Sequence, residues 1–289
     1  MRRSIYSRAS ISWTRRARNK VLGRGRQGWL RGALLTLLLA AALPVMAEPL
    51  VSIIIDDIGN GLGDGQRAVQ LPGPVTCAFL PHTPYAAHLA RLAHRNGKEV
   101  MLHLPMQAVS DRRLGPGGLT LDMGQARFLQ TFWSDIASIP FVRGVNNHMG
   151  SLLTRHPGDM GWLMQAIRLH GGLYFVDSRT SRESVAQQVA EEQGVPTTHR
   201  DVFLDDVRTP AAIRRQFARL VAHAKIAGSA VAIGHPHPVT LATLTQLLPT
   251  LAQQGIRLVP VSELIAHTHN SRSRLWQASL SPSPRDARN

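Results

Sequence analysis

Two hydrophobic periods alternate along most of this chain. Short apolar runs at 50–56, 74–80, 98–103, 142–146, 172–177, 198–204, 229–233 and 256–260 have the length and aliphatic content of buried strands. Between them, segments near 84–96, 125–138, 158–170, 182–193, 210–227 and 239–254 carry helical spacing, with a shorter candidate at 64–70. Gly97, Gly171, Gly194, Gly228 and Gly255 each follow a helical pattern, where a C-capping glycine belongs. No repeat of solenoid length is evident. Strand–helix alternation of this kind predicts a parallel sheet wrapped by helices, and about eight strands suit a (β/α) barrel.

The first run sets the chemistry. Leu50-Val51-Ser52-Ile53-Ile54-Ile55 leads directly into Asp56-Asp57 and then Ile58-Gly59. Neighbours on a strand point to opposite faces, so at least one of these carboxylates is expected to turn into the interior. A buried carboxylate is costly unless it is paired, hydrogen-bonded or bound to a metal. The other runs end in the same chemistry: His82, His103, Asn147-His148, Asp177-Ser178-Arg179, Arg200-Asp201 with Asp205, and His235-Pro236-His237. A parallel barrel gathers its carboxyl strand ends on one face, where active sites lie.

Several chemistries are excluded. The glycines at 59, 61, 63 and 65 lack phosphate-loop spacing, and Asp56, Asp57 and Asp64 would repel a pyrophosphate. They read instead as a turn that lets backbone pass close to a ligand. No Gly-x-Ser-x-Gly elbow and no His-Glu-x-x-His pair is present. The single cysteine, Cys77, lies inside an apolar run and reads as a buried hydrophobe. What remains is a mixed Asp/His site, which suits a divalent first-row ion, zinc above all, and hydrolysis of an amide or ester.

Charge changes the picture at the ends only. The net charge is +15, but residues 1–47 hold ten basic residues and no acid. The body from Glu48 to His269 is only weakly basic, which removes the electrostatic case for nucleic acid. The leader, with its apolar core 32–43 and Pro44-Val45-Met46-Ala47, reads as a secretory signal with a long basic n-region. It predicts an exported, periplasmic body, tied to a membrane only if the signal stays uncleaved. Residues 270–289, rich in Ser, Pro and Arg, read as a disordered tail.

Taken together, Ile55-Asp56-Asp57-Ile58-Gly59, Leu80-Pro81-His82-Thr83-Pro84, Leu102-His103-Leu104-Pro105-Met106, Asn146-Asn147-His148-Met149-Gly150-Ser151, Asp177-Ser178-Arg179-Thr180, Arg200-Asp201-Val202-Phe203-Leu204-Asp205 and Ile233-Gly234-His235-Pro236 resemble the divergent polysaccharide deacetylases. The likeness spans roughly 50–267 and implies a distorted (β/α)7–8 barrel with a metal-dependent N-deacetylase ancestry acting on an envelope polysaccharide. It implies Asp56 as general base, Asp57 as metal ligand and His235 as general acid. The lead-in Gly97-Lys98-Glu99-Val100-Met101-Leu102 makes His103 the next ligand. Two departures stand out. Gln107 occupies the place of the family's second His, so His148 is expected to supply the third ligand. The family's Arg-x-Pro-Tyr segment is missing, and Arg179 is expected to take over its charge. Asp177 is expected to hydrogen-bond a catalytic His. Asn147 is expected to support the site or meet substrate, and Asp201 to support it or cap a turn. Two rival readings stay open: a glycan-binding or scaffolding barrel without turnover, and a metallo-amidase acting on peptide stems.

Overall fold

The computed structural model of the chain describes residues 48–269, so the leader and the basic tail lie outside the described residues. Nine strands form one parallel sheet: β1 (Leu50–Ile58), β2 (Thr76–Phe79), β3 (Glu99–Met106), β4 (Val142–Met149), β5 (Tyr174–Asp177), β6 (Thr197–His199), β7 (Val202–Phe203), β8 (Ser229–Gly234) and β9 (Arg257–Leu258). Helices separate most of them: α1 (Leu62–Val69), α2 (Ala86–Arg95), α3 (Gln125–Ser138), α4 (Pro157–His170), α5 (Ala186–Glu192), α6 (Pro210–Ala227) and α7 (Pro238–Leu247). A last helix, α8, covers 261–269. Among the described residues, no helix is long and apolar enough to cross a membrane.

The strand order is β6-β5-β4-β3-β2-β1-β8-β7, with β9 on β1. The sheet curls into a distorted (β/α)8-like half-barrel. Its two ends, β6 and β7, belong to one continuous stretch of chain, expected from the sequence as a single strand. The first part pairs with β5 and the second with β8. The change of partner falls at two residues: Arg200 N–H donates to Asp177 O, and Asp201 N–H to Val231 O. At its start β1 lies between β8 and β9, and further on between β8 and β2.

Strand periodicity sorts the core into two layers. Val51, Ile53 and Ile55 face outward into the large cluster formed with the helices. Leu50 and Ile54 face inward with Ala78, Met101, Tyr174, Val176, Val231 and Ile233. Val261, Leu264 and Ile265 of α8 close the amino-terminal end of this interior. Each fully buried aliphatic contributes about 1.5–3 kcal/mol.

Beyond the split of 198–204 into β6 and β7, most elements fall where the hydrophobic periods predict, with three further differences. The expected helix 239–254 ends at Leu247 and continues as two 3-10 turns, because Pro249 cannot donate to a helical ladder. The helix over 261–269 has no counterpart among the predicted segments. Only the first half of the glycine run after β1 is a turn beside the cleft, where Asn60, between Gly59 and Gly61, joins the lining. Gly63 and Gly65 lie within α1, where a Cβ on Gly65 would sit 2.3 Å from Leu89 Cδ1.

Candidate active site

The interior layers change character toward the carboxyl ends of the strands. Two residues beyond Ile54 comes Asp56, two beyond Met101 comes His103, and two beyond Gly144 comes Asn146. All three share the interior face and are at most 2% exposed. Asn146 joins the other two. Its Nδ2 donates to Asp56 Oδ1 at 2.9 Å, which turns its Oδ1 toward His103 Nδ1 at 2.8 Å. His103 Nδ1 therefore carries the proton, and its Nε2 faces the cluster as a lone pair when the ring is neutral.

Asp57 departs from strand periodicity. The β1–β2 register shifts between Ile55 and Ile58, and Asp57 adopts φ +57°. The left-handed backbone swings its carboxylate onto the same mouth as Asp56, instead of the opposite face. Asp57 Oδ1 lies 2.9 Å from His148 Nδ1 and 3.2 Å from His103 Nε2, and those nitrogens are 3.1 Å apart. Positive φ recurs at His82, Met149 and Arg179, so four of the five described non-glycine residues in this conformation stand at or just past carboxyl strand ends. Such strain costs about 1–3 kcal/mol per residue and collects where function requires it.

The protonation states follow from burial and partners. Burial pushes the Asp56 carboxyl above its ordinary range, against the pull of His103, His235 and Asn146. Burial would also raise Asp57, but the imidazoles of His103 and His148 pressed against its Oδ1 outweigh it and hold Asp57 far below the ordinary range. Burial pulls the His103 imidazole down, yet Asp56 and Asp57 win and lift it to about 9. Cys77 is buried within the sheet, and burial pushes its thiol up to about 12, which removes it as a nucleophile.

His235 enters from β8, its Nε2 3.9 Å from Asp57 Oδ2. Asp205 fixes it: Oδ1 lies 3.0 Å from His235 Nδ1, while Oδ2 accepts from His235 N–H and Thr240 Oγ1 at 2.7 and 2.9 Å. Burial lowers the His235 pKa, but the Asp205 hydrogen bond and the surrounding carboxylates raise it on balance. Asp205, His235 and His237 also have metal-ligand composition. Both Asp205 oxygens are already engaged, however, so we read this trio as support for the His235 ring.

Three expected supporting roles change. Among the described residues, Asp177 makes no hydrogen bond to a histidine of the cluster. It accepts from Arg179 N–H and Ser184 Oγ, both at 2.8 Å, and so closes the turn after β5. The role expected of it is filled by Asp205 for His235 and by Asn146 for His103. Arg179 does not orient the base, since its guanidinium donates to Gln187 Oε1 at 3.2 Å. Arg200 is the cation that senses Asp56 and Asp177: burial lowers its pKa and those two carboxylates oppose the shift. It is held by the carbonyls of Ser178 and Arg179 at 2.7 and 2.9 Å. Asp201 lies apart, tying Val231 N–H at 2.8 Å and facing His199 and His223. Asn147 accepts from Ser178 N–H and donates to Met149 O, which braces the turn presenting His148. Asn146 and Asp205 were legible in principle. Asn146 sits two residues before His148 on one strand face, and Asp205 lies two residues beyond β7, the strand that pairs with β8.

Gln107 has become a loop anchor, its Oε1 accepting from Leu121 N–H at 2.8 Å. Beyond it, a cleft of about 320 Å³ opens beside Asp57 and His148.

A curled parallel sheet with acids and imidazoles at its carboxyl mouth defines a (β/α) barrel of the polysaccharide-deacetylase type. The chain belongs to the divergent polysaccharide deacetylase family, whose model matches residues 53–265. It is 38% identical over 228 residues to the uncharacterized protein YibQ of Escherichia coli K12, covering 79% of this chain and 70% of that one. Among solved structures, the uncharacterized protein ATU2773 from Agrobacterium tumefaciens C58 matches with TM-score 0.73 and 24% identity, covering 77% of this chain and 91% of that one. A mutant of the peptidoglycan deacetylase PdaC from Bacillus subtilis matches the fold with TM-score 0.51 and 12% identity, covering 81% and 98%.

Proposed function

We propose that this protein is an exported, metal-dependent hydrolase that removes N-acetyl groups from an envelope polysaccharide. One observation carries the reading: Asp57 Oδ1, His103 Nε2 and His148 Nδ1 converge within 3.2 Å of one another beside a buried Asp56. The donor set suits a first-row divalent ion, zinc first, whose ligands bind at about 2.0–2.2 Å and so lie about 3 Å apart. A second observation fits: Asp57 Oδ1 is buried yet accepts no well-directed hydrogen bond. Asp57, His103 and His148 would hold the ion, which when bound would supply Lewis acidity at the acetamide carbonyl and a more acidic water.

The remaining steps belong to this chain's own side chains. Asp56, raised by burial and steadied by Asn146, takes the proton of the attacking water. His235, with Nδ1 held by Asp205, presents Nε2 and gives its proton to the departing sugar amine. Asn146 couples base and ligand, because one amide fixes both Asp56 and the His103 tautomer. Export rests on the leader at 1–47.

The test is acetate release from N-acetylated oligosaccharides by the zinc-loaded protein, with Asp56→Asn beside it. Release that the variant loses supports the reading. A second reading, a glycan-binding barrel without turnover, is favoured by Gln107, whose side chain is committed to Leu121. Sugar affinity without acetate release, unchanged in Asp56→Asn, would establish that one. Peptide release in place of acetate would point to the amidase.

A further inference from the structure

The cleft beside the cluster has an asymmetric wall. Leu80, Pro81, Pro105, Leu114 and Pro116 make about half of it apolar, and Asn60 and Thr83 add neutral polar groups. Asp57 and His148 form one polar end, and Arg113 brings a lone cation to the lining. No described carboxylate lies within ion-pair distance of Arg113. Asp57 is the only carboxylate in the lining, and it is committed to His103 and His148.

The loop that carries Arg113 is fastened on both sides. Gln107 N–H donates to Leu119 O and Leu119 N–H to Pro105 O, each at 2.9 Å. Gly117, at φ +75°, packs so tightly on Asp135 that a Cβ there would lie 2.1 Å from Oδ1. Asp135 is itself fully buried and held by His82 at 2.9 Å. An exposed arginine in the cleft lining, on a loop tethered at both ends and with no carboxylate partner among the described residues, is open to an anion. Its planar fork matches carboxylate, sulfate or phosphate oxygens. Arg113 is exposed at the rim, so a pair formed there is screened by salt and shows best at low ionic strength.

We propose that Arg113 makes the cleft selective for an acidic N-acetylated glycan, one whose sugar carries an anionic group close to the acetamide. This rests on the deacetylase reading for the acetamide end and on Arg113 alone for the anion. The ligand spans the cleft, with its acetamide at Asp57 and His148 and its anion on the guanidinium.

The experiment measures binding by calorimetry at low salt, using full-length Asp56→Asn protein loaded with zinc so that nothing turns over. Three probes are compared: neutral chito-oligosaccharide, an oligosaccharide alternating N-acetylglucosamine with glucuronate, and a sulfated chito-oligosaccharide. We expect at least tenfold tighter binding of an anionic probe, and the better of the two identifies carboxylate or sulfate as the partner. Adding Arg113→Ala should weaken the anionic probe about tenfold more than the neutral one, with Arg113→Lys recovering part of the loss. Tm and zinc content should stay at parent values. Equal affinity for all three probes, or equal weakening by Arg113→Ala, overturns the proposal and leaves Arg113 a solvated surface residue. Acetate release by the unmutated protein is scored separately. Arg113-dependent binding without release sinks the deacetylase reading alone, and release from neutral and acidic probes alike sinks this one alone.

Discussion

The two ends of the barrel interior are built on opposite terms. At the amino-terminal end the side chains are apolar, and the few polar groups are satisfied. Ser52 Oγ donates to Val259 O at 2.8 Å, and Glu99 accepts from Tyr174 Oη at 2.6 Å and from Ser262 N–H at 3.3 Å. Three buried side-chain atoms lack a partner among the described residues, in Asp57, Asp135 and His199, and none lies in this plug. At the carboxyl end, Asp56 and His103 are buried together, Asp57 keeps an unsatisfied oxygen, and strained backbone gathers. Alternation along the same strands produces both ends. One end holds the fold, and the other spends part of that stability on a site.

That contrast can be broken from either side. The largest effect is expected at the mouth. Asp57→Ala should abolish zinc binding, and both it and Asp56→Asn should cut acetate release by about 10²–10⁴-fold, a range typical of losing a positioned acid or base. Metal content and release assays on the two variants check this, and Asp57→Ala protein with full metal content would refute the ligand assignment. The plug should behave inversely. Leu264→Ala should cost about 2–5 kcal/mol by cavity formation and lower the Tm in thermal melts, while the folded protein keeps its metal.

A smaller effect sharpens the division within the mouth. Asp205→Asn should lower kcat about 10–100-fold with little change in KM, a loss comparable to removing the partner of a ligand or acid. Asp205 helps to raise the His235 pKa, so protonated His235 persists to higher pH in the unmodified protein. Without Asp205 the alkaline limb of the pH–rate profile should move to lower pH. A limb that stays put would separate Asp205 from the acid.

The smallest effect concerns Asp135, behind the cleft wall. Burial lifts its carboxyl to about 8. The folded state therefore holds a proton that the unfolded chain releases near pH 4, and the associated stability is lost as pH rises toward 8. The Tm should fall across that window, and Asp135→Asn should flatten the fall by about 2–4 °C per kcal/mol recovered. Parallel melts of both proteins from pH 5 to 9 decide it.

Much of this architecture could be read from the chain, because strand and helix periods are local properties. The runs ending at Asp56, His103, His148 and His235 placed those side chains at one mouth by topology alone. What could not be read depended on backbone detail or partner choice. Strict alternation sends Asp57 away from Asp56, and only the left-handed turn at Asp57 brings the two together. Asp177 has the composition of a histidine partner, but its own turn claims both oxygens first. Helix α8 is short and its pattern fades into the basic tail, so nothing local marked Val261, Leu264 and Ile265 as the floor of the interior.

The stretch 197–203 holds both loose edges of the sheet, gripping β5 with one half and β8 with the other. It is in effect the clasp of a bracelet. Few ladder bonds secure each half, so its amides should trade hydrogen for deuterium sooner than those of β1, which has neighbours along both edges. A band fastened this way is expected to loosen first at that one link, which the same exchange experiment would show.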